Sequence, residues 1–120
     1  MFLILPLVLL LLICTQAIHM IRLELTMGRD IPDAGTVSEE MFTAFVKSNI
    51  MPHLEYGTIL DAVGFWKGEQ EATKILYLEI PESELPQMQP IFERIGNAYK
   101  RAFRQDAVLI SQLQTNAIFQ

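Results

Sequence analysis

The run TILDAVGFWKGEQEATKILYLEI, Thr58–Ile80, constrains the fold more than any other part of the chain. Branched and aromatic residues dominate Thr58–Lys67 and Thr73–Ile80, and such side chains suit a pleated, half-buried surface. Between them lie Gly68-Glu69-Gln70-Glu71-Ala72, a polar connection containing glycine. The pattern predicts a β-hairpin with a bulged or longer loop. The only tryptophan, Trp66, and two carboxylates, Glu69 and Glu71, gather at this turn, more chemistry than a turn needs. It is the candidate site. The competing reading is a solvated turn with a tryptophan packed on the sheet.

The remaining elements follow from periodicity. Ile21, Leu23, Leu25 and Met27 alternate with Arg22, Glu24 and Thr26, which predicts a half-buried first strand. Gly28–Gly35 reads as a loop, in which Arg29 and Asp30 form a solvated charge pair, with contact to a ligand as the alternative. Ser38 is placed to cap a helix whose first turn holds Glu39 and Glu40. Phe42, Phe45, Val46 and Asn49/Ile50 then follow helical spacing as core positions, and Pro52 closes the helix. Tyr56 falls just before the hairpin. Glu82–Gln89 reads as turns. A second amphipathic helix is predicted over Pro90–Phe103, with Pro90 at its first position. Gln105-Asp106 turns the chain into a last strand, Ala107–Leu113, with Ile118-Phe119 as an extension.

Strand, helix, strand, strand, helix, strand is the order of an α+β, ferredoxin-like βαββαβ fold, an antiparallel four-stranded sheet with both helices on one face. Yet the strands carry apolar groups on both sides: Ile75 and Tyr77 lie opposite Leu76 and Leu78. Large exposed apolar patches are uncommon on soluble monomers. The expectation is a homo-oligomer, dimer or trimer, that covers the open sheet face.

Composition bounds the chemistry. Leu3–Ile13 is apolar apart from Pro6, and no charged residue precedes Arg22. The run is shorter than the roughly 20 residues of a membrane span. It resembles the core of a secretory signal, although no basic residue precedes it. Met1–His19 is therefore assigned as a leader and Met20–Gln120 as the domain, with translation from Met20 as a further possibility. The domain has no cysteine, since Cys14 lies in the leader, so it holds neither a disulfide nor a thiolate metal site. His19 borders the leader and His53 follows Pro52 in a predicted loop, which argues against a histidine metal site or a triad. The net charge of −5 argues against a nucleic-acid partner.

GRDIPDAGTVSEEMFTAFV, LDAVGFWKGEQE and AYKRAFRQDAVLI resemble a family of small bacterial proteins of unknown function, whose members often carry a secretion or lipoprotein leader. The resemblance spans nearly all of Met20–Gln114. The Gly-x-Trp-x-Gly and Gln-Asp-Ala-Val-Leu stretches are its most specific parts. The layout also resembles the bacteriophage S-adenosylmethionine lyases, which share the ferredoxin-like fold. The shared features are a hairpin with a carboxylate pair, a helix, and Gln-Asp before an apolar strand. That resemblance implies an oligomer with active sites between subunits. It also implies cleavage of S-adenosylmethionine to methylthioadenosine and homoserine lactone, as a counter-defence against restriction-modification. By position it implies Glu69 and Tyr56 as catalytic residues, Glu69 competing with Glu71. Trp66, Glu71, Gln105 and Asp106 would be substrate-binding, with no metal or cofactor.

In such a lyase the substrate's own carboxylate displaces a neutral thioether, so orientation supplies much of the catalysis, roughly 7–11 kcal/mol. Glu69 acting on water would give hydrolysis instead. The leader conflicts with a cytosolic substrate: the host cytoplasm is expected for translation from Met20, the periplasm or envelope if the leader is used. The second function class is a non-enzymatic envelope protein that binds a small ligand or partner through the same hairpin.

Overall fold

The computed structural model describes residues 18–120. The leader assigned to Met1–His19 lies outside these, except that Ile18 and His19 already belong to the first strand. Strand β1 (Ile18–Gly28) leads into a short hairpin, β2 (Asp30–Ile31) and β3 (Gly35–Thr36), where the sequence reads as plain loop. Helix α1 (Glu39–Phe45) follows and widens into a π-helical turn, Val46–Ile50. Strands β4 (Thr58–Trp66) and β5 (Glu69–Pro81) form the central hairpin. Helix α2 (Leu85–Phe103) and strand β6 (Leu109–Ala117) complete the chain.

The sheet order is β4-β5-β1-β6, with every adjacent pair antiparallel. The two central strands are thus the first and third of the main strands, as a ferredoxin-like fold requires. Alternation decides which groups are buried. Leu23, Leu25 and Met27 of β1 and Leu76, Leu78 and Ile80 of β5 lie in the core with Phe42, Phe45, Phe92, Ile95, Tyr99 and Phe103 from the helices. Four aromatic rings weld the helices together: Phe45 meets Tyr99 edge-on at 5.3 Å, and Tyr99 meets Phe103 at 4.9 Å.

Local signals explain most boundaries. The Ser38 hydroxyl accepts the Met41 N–H at 3.1 Å, as an N-cap should. Arg104 takes the left-handed conformation that ends α2. The start of α2 corrects the sequence expectation: the helix begins at Leu85, Pro86 occupies its first turn, and Pro90 lies inside. A proline in the first turn forfeits no hydrogen bond. Burying Met88, Ile91 and Phe92 against the core extends the helix past Pro90.

The central turn is also corrected. Trp66 pairs with Glu69, so the connection is two residues, Lys67-Gly68, both with positive φ (48° and 82°). Positive φ at both central residues gives a tight reversal whose twist matches the strands. Glu69, Gln70, Glu71 and Ala72 therefore belong to β5, not to a bulged loop, and the register is unbroken from Trp66↔Glu69 to Thr58↔Tyr77. Glu69 and Glu71 share one face of a regular strand.

An ion cluster ties the hairpin to α1. Lys74 lies on the helix-facing side of β5, only 4% exposed. Its Nζ donates to both Glu39 oxygens at 3.0 Å, pairs with Asp61 of β4 at 2.5 Å, and lies 5.0 Å from the Phe42 ring centroid. Arg29 pairs with Glu39 at 3.0 Å and donates to the Val37 carbonyl. Burial disfavours the Lys74 charge, but hydrogen bonds to Asp61 and Glu39 outweigh it and hold the ammonium above its ordinary pKa. The Lys74 hydrogen bond holds Asp61 below its ordinary 3.8.

Two outcomes test this packing. A lowered carboxylate pKa stabilises the fold above the ordinary value, and that stability is lost as pH falls through the folded one. Asp61→Asn should therefore show a shallower loss of stability below pH 3.8 than the unmodified protein, measured by urea unfolding across that range. Gly96 lies where α2 crosses the sheet, and an added Cβ would meet Val108 Cγ2 at 2.9 Å. Gly96→Ala should destabilise by about 1–3 kcal/mol through overpacking, read from the same unfolding curves.

Candidate functional site

The open face of the sheet, opposite the helices, is mixed rather than wholly apolar. Arg22 pairs with Glu24 at 2.8 Å and lies 3.6 Å from the Tyr77 ring centroid, and Glu79 and Thr115 lie nearby. Half-buried Ile75 and exposed Leu60, Leu109 and Leu113 surround these polar groups.

At the hairpin end of this face lies a cleft of about 360 Å³ lined by Thr26, Gly28, Asp30, Gly64, Phe65, Trp66, Glu69, Gln70, Glu71 and Thr73. Small residues make its floor: Gly64 lies opposite Glu71, and Gly28 opposite Thr73. Trp66, on the cleft face of β4, is 75% exposed, with the Lys67 ammonium 5.5 Å from its ring centroid, while Phe65, 82% exposed, alternates to the helix side. Three carboxylates, Asp30, Glu69 and Glu71, line the same space. Arg29, the cation next in sequence to Asp30, is committed to Val37 and Glu39. An acidic cleft beside an exposed tryptophan suits a cationic, partly flat ligand.

The two hairpin carboxylates differ in what they touch. Glu71 Oε2 accepts the Asp30 N–H at 2.9 Å, and its carboxylate lies over Gly28, where a Cβ would come within 2.6 Å of it. Glu71 thus holds the Gly28–Asp30 wall in place. The Glu69 carboxylate makes no hydrogen bond or ion pair among the described residues, which leaves it for a ligand.

The same wall is gripped from below by the end of α2. The Tyr99 hydroxyl donates to the Gly28 carbonyl at 2.6 Å, Gln105 Nε2 to the Asp30 carbonyl at 2.6 Å, and Arg104 to the Pro32 carbonyl at 2.8 Å. Burial, the Glu71 charge adding and the Arg29 charge opposing, pushes the Tyr99 pKa up to about 12. Tyr99 therefore remains a donor across the physiological range.

Of the residues singled out from sequence, the fold brings Trp66, Glu69 and Glu71 into one cleft. Gln105 stands behind it and reaches it through the Asp30 backbone. Asp106 lies in the exposed bend after α2 and lines no part of the cleft. Tyr56 lies beyond the other end of β4, a strand that itself spans roughly 27 Å, where its hydroxyl donates to the Glu79 carbonyl at 3.3 Å. Sequence reasoning weighed Asp30 as a ligand contact but preferred a solvated role, and missed Phe65, Gly28 and Gly64. For Asp30 no periodic signal existed, because Glu71 contacts it from 41 residues away.

No curated protein matches this chain. Among solved structures, a phage SAM lyase in complex with S-methyl-5'-thioadenosine matches with a TM-score of 0.57 at 14% identity, covering 82% of this chain and 90% of that one. A phage SAM lyase in the apo state matches with a TM-score of 0.52 at 15% identity, covering 87% and 93%. At such identity the likeness shows the shared fold. A family model covers residues 22–119, from the second half of β1 through β6, and includes every residue of the cleft. The chain therefore belongs to the family described as protein of unknown function, DUF3574.

Proposed function

We propose that the protein binds S-adenosylmethionine in the hairpin cleft and splits it to methylthioadenosine and homoserine lactone. The observation that carries this reading is the joining of an exposed tryptophan to an uncommitted carboxylate, Trp66 and Glu69, on a fold shared with phage SAM lyases. The substrate carries a sulfonium and an ammonium, the charges that an acidic, aromatic cleft attracts. A cation over an aromatic face contributes about 0.5–2 kcal/mol, depending on desolvation.

The reaction asks little of the protein beyond placement. An oxygen of the substrate carboxylate attacks the γ-carbon of its own side chain, the carbon–sulfur bond breaks, and its electron pair goes to sulfur. The sulfonium becomes a neutral thioether and the carboxylate becomes the lactone, so charge balances without a proton transfer. In this reading Glu69 holds the substrate ammonium or ribose, Trp66 faces the adenine or sulfonium, and Glu71 fixes the wall that orients them. Gln105 acts through Asp30. Tyr56 would reach a Glu69 cleft only from a neighbouring subunit. Loss of the methyl donor would starve methylation in the cytoplasm, a role that suits a protein translated from Met20.

The test uses Trp66 as its own reporter. S-Adenosylmethionine should change the emission of this single tryptophan, and chromatography should recover methylthioadenosine and homoserine lactone. Glu69→Gln should keep the fold and lower turnover at least tenfold, about 1.4 kcal/mol of transition-state stabilisation. Glu71→Gln should lower it less, through a loosened Gly28–Asp30 wall, and should also destabilise the fold slightly. Homoserine in place of its lactone would mean hydrolysis. An emission change without products would leave a binding protein, and neither response would overturn the reading.

A further inference from the structure

β4 is an edge strand, the first in the order β4-β5-β1-β6. Natural proteins blunt such edges with lysines, prolines, bulges or short strands, because free backbone groups invite another strand. β4 has no lysine, proline or bulge, and its one edge-protecting feature is the helix-side charge of Asp61. It runs nine residues, TILDAVGFW, in unbroken register with β5. Seven of the nine are exposed and the other two half-buried, including exposed Ile59, Leu60, Val63, Phe65 and Trp66. Its single charge, Asp61, is neutralised by Lys74. The opposite edge, β6, instead has Ser111, Gln112, Gln114, Thr115 and Asn116 among its nine residues.

We infer that β4 pairs antiparallel with β4 of a second copy of this chain, across a two-fold axis at Ala62. The strand's own sequence selects that occupant and that register. Centring on Ala62 uses all nine residues and sets Ile59 of one copy beside Phe65 of the other, twice by symmetry, on the helix side. On the open side Leu60 covers Gly64, and Thr58 lies beside Trp66. Asp61 faces Val63, so like charges are never opposed. Moving the axis one residue back, to Asp61, would place two carboxylates directly opposite each other. An odd offset would set each residue against one from the other face, which the pleat forbids. The dimer would be one continuous eight-stranded sheet with all four helices on one side. It uses the sheet edge, not the open face; its seam includes Gly64, Phe65 and Trp66 of the cleft lining, and its cross-linking test reads the interface whether or not the cleft is catalytic.

Cysteine cross-linking tests it directly. Directly opposed residues on antiparallel strands have Cα atoms about 4.5–5.5 Å apart, within the range a disulfide spans. In the full chain with Cys14→Ser, Ala62→Cys should form a covalent dimer under mild oxidation, while Leu113→Cys on the open face should not. Phe65→Lys should convert the dimer to a monomer by light scattering at micromolar concentration, with an unchanged circular dichroism spectrum. Absence of the Ala62→Cys cross-link overturns the inference. So does equal cross-linking through Leu113→Cys, or a dimer that survives Phe65→Lys and is dissociated by Tyr77→Glu.

Discussion

The hydrogen bond from the Tyr99 hydroxyl to the Gly28 carbonyl joins the two halves of this molecule. The ring of Tyr99 sits fully buried among Phe42, Phe45 and Phe103, so its position is fixed by the packing of both helices. Its oxygen is fixed in turn, and a buried hydroxyl without a partner is costly. Here the end of β1 satisfies it. Core packing is thereby converted into the placement of one backbone carbonyl, and the cleft wall on the other side of Gly28 inherits that placement. A site lined by open side chains thus rests on a rigid foundation.

Much of the fold was legible because alternation and helical spacing are direct readouts of burial. Leu23, Leu25 and Met27 announce their strand, Ser38 announces its helix, and Leu76, Leu78 and Ile80 face the core as their period requires. The errors fell where two signals competed. Pro86 read as part of a turn and Pro90 as the first helical position, yet apolar burial from Met88 to Phe92 carries the helix back to Leu85. Gly68-Glu69-Gln70-Glu71 reads as loop by polarity, yet pairing with β4 extended the strand to the turn. Lys74 was readable and overlooked: it shares the parity of Leu76 and Leu78, so it had to be buried and needed carboxylate partners.

The site was legible to the extent that it is local. Trp66, Glu69 and Glu71 are neighbours along a hairpin, and a hairpin preserves such proximity in space. What escaped depends on contacts between distant segments: Glu71 with Asp30, Gln105 with Asp30, Tyr99 with Gly28. Those bonds divide the carboxylates into one that builds the wall and one left for a ligand. Two residues of the same type, two positions apart, carry no mark of that difference in sequence.

The two-residue turn at Lys67-Gly68 has a consequence for how this family can vary. Since side chains alternate between faces, the pairing of Trp66 with Glu69 fixes which residues of β5 look into the cleft. A slip of that pairing by one residue would send Glu69 and Glu71 toward the helices and Gln70 and Ala72 toward the cleft, with every amino acid type retained. Relatives that keep this cleft should therefore keep that register, with residues that tolerate positive φ at both turn positions or with a longer loop that holds the extra residues outside the pairing. A turn on the surface thus carries part of the site's specification.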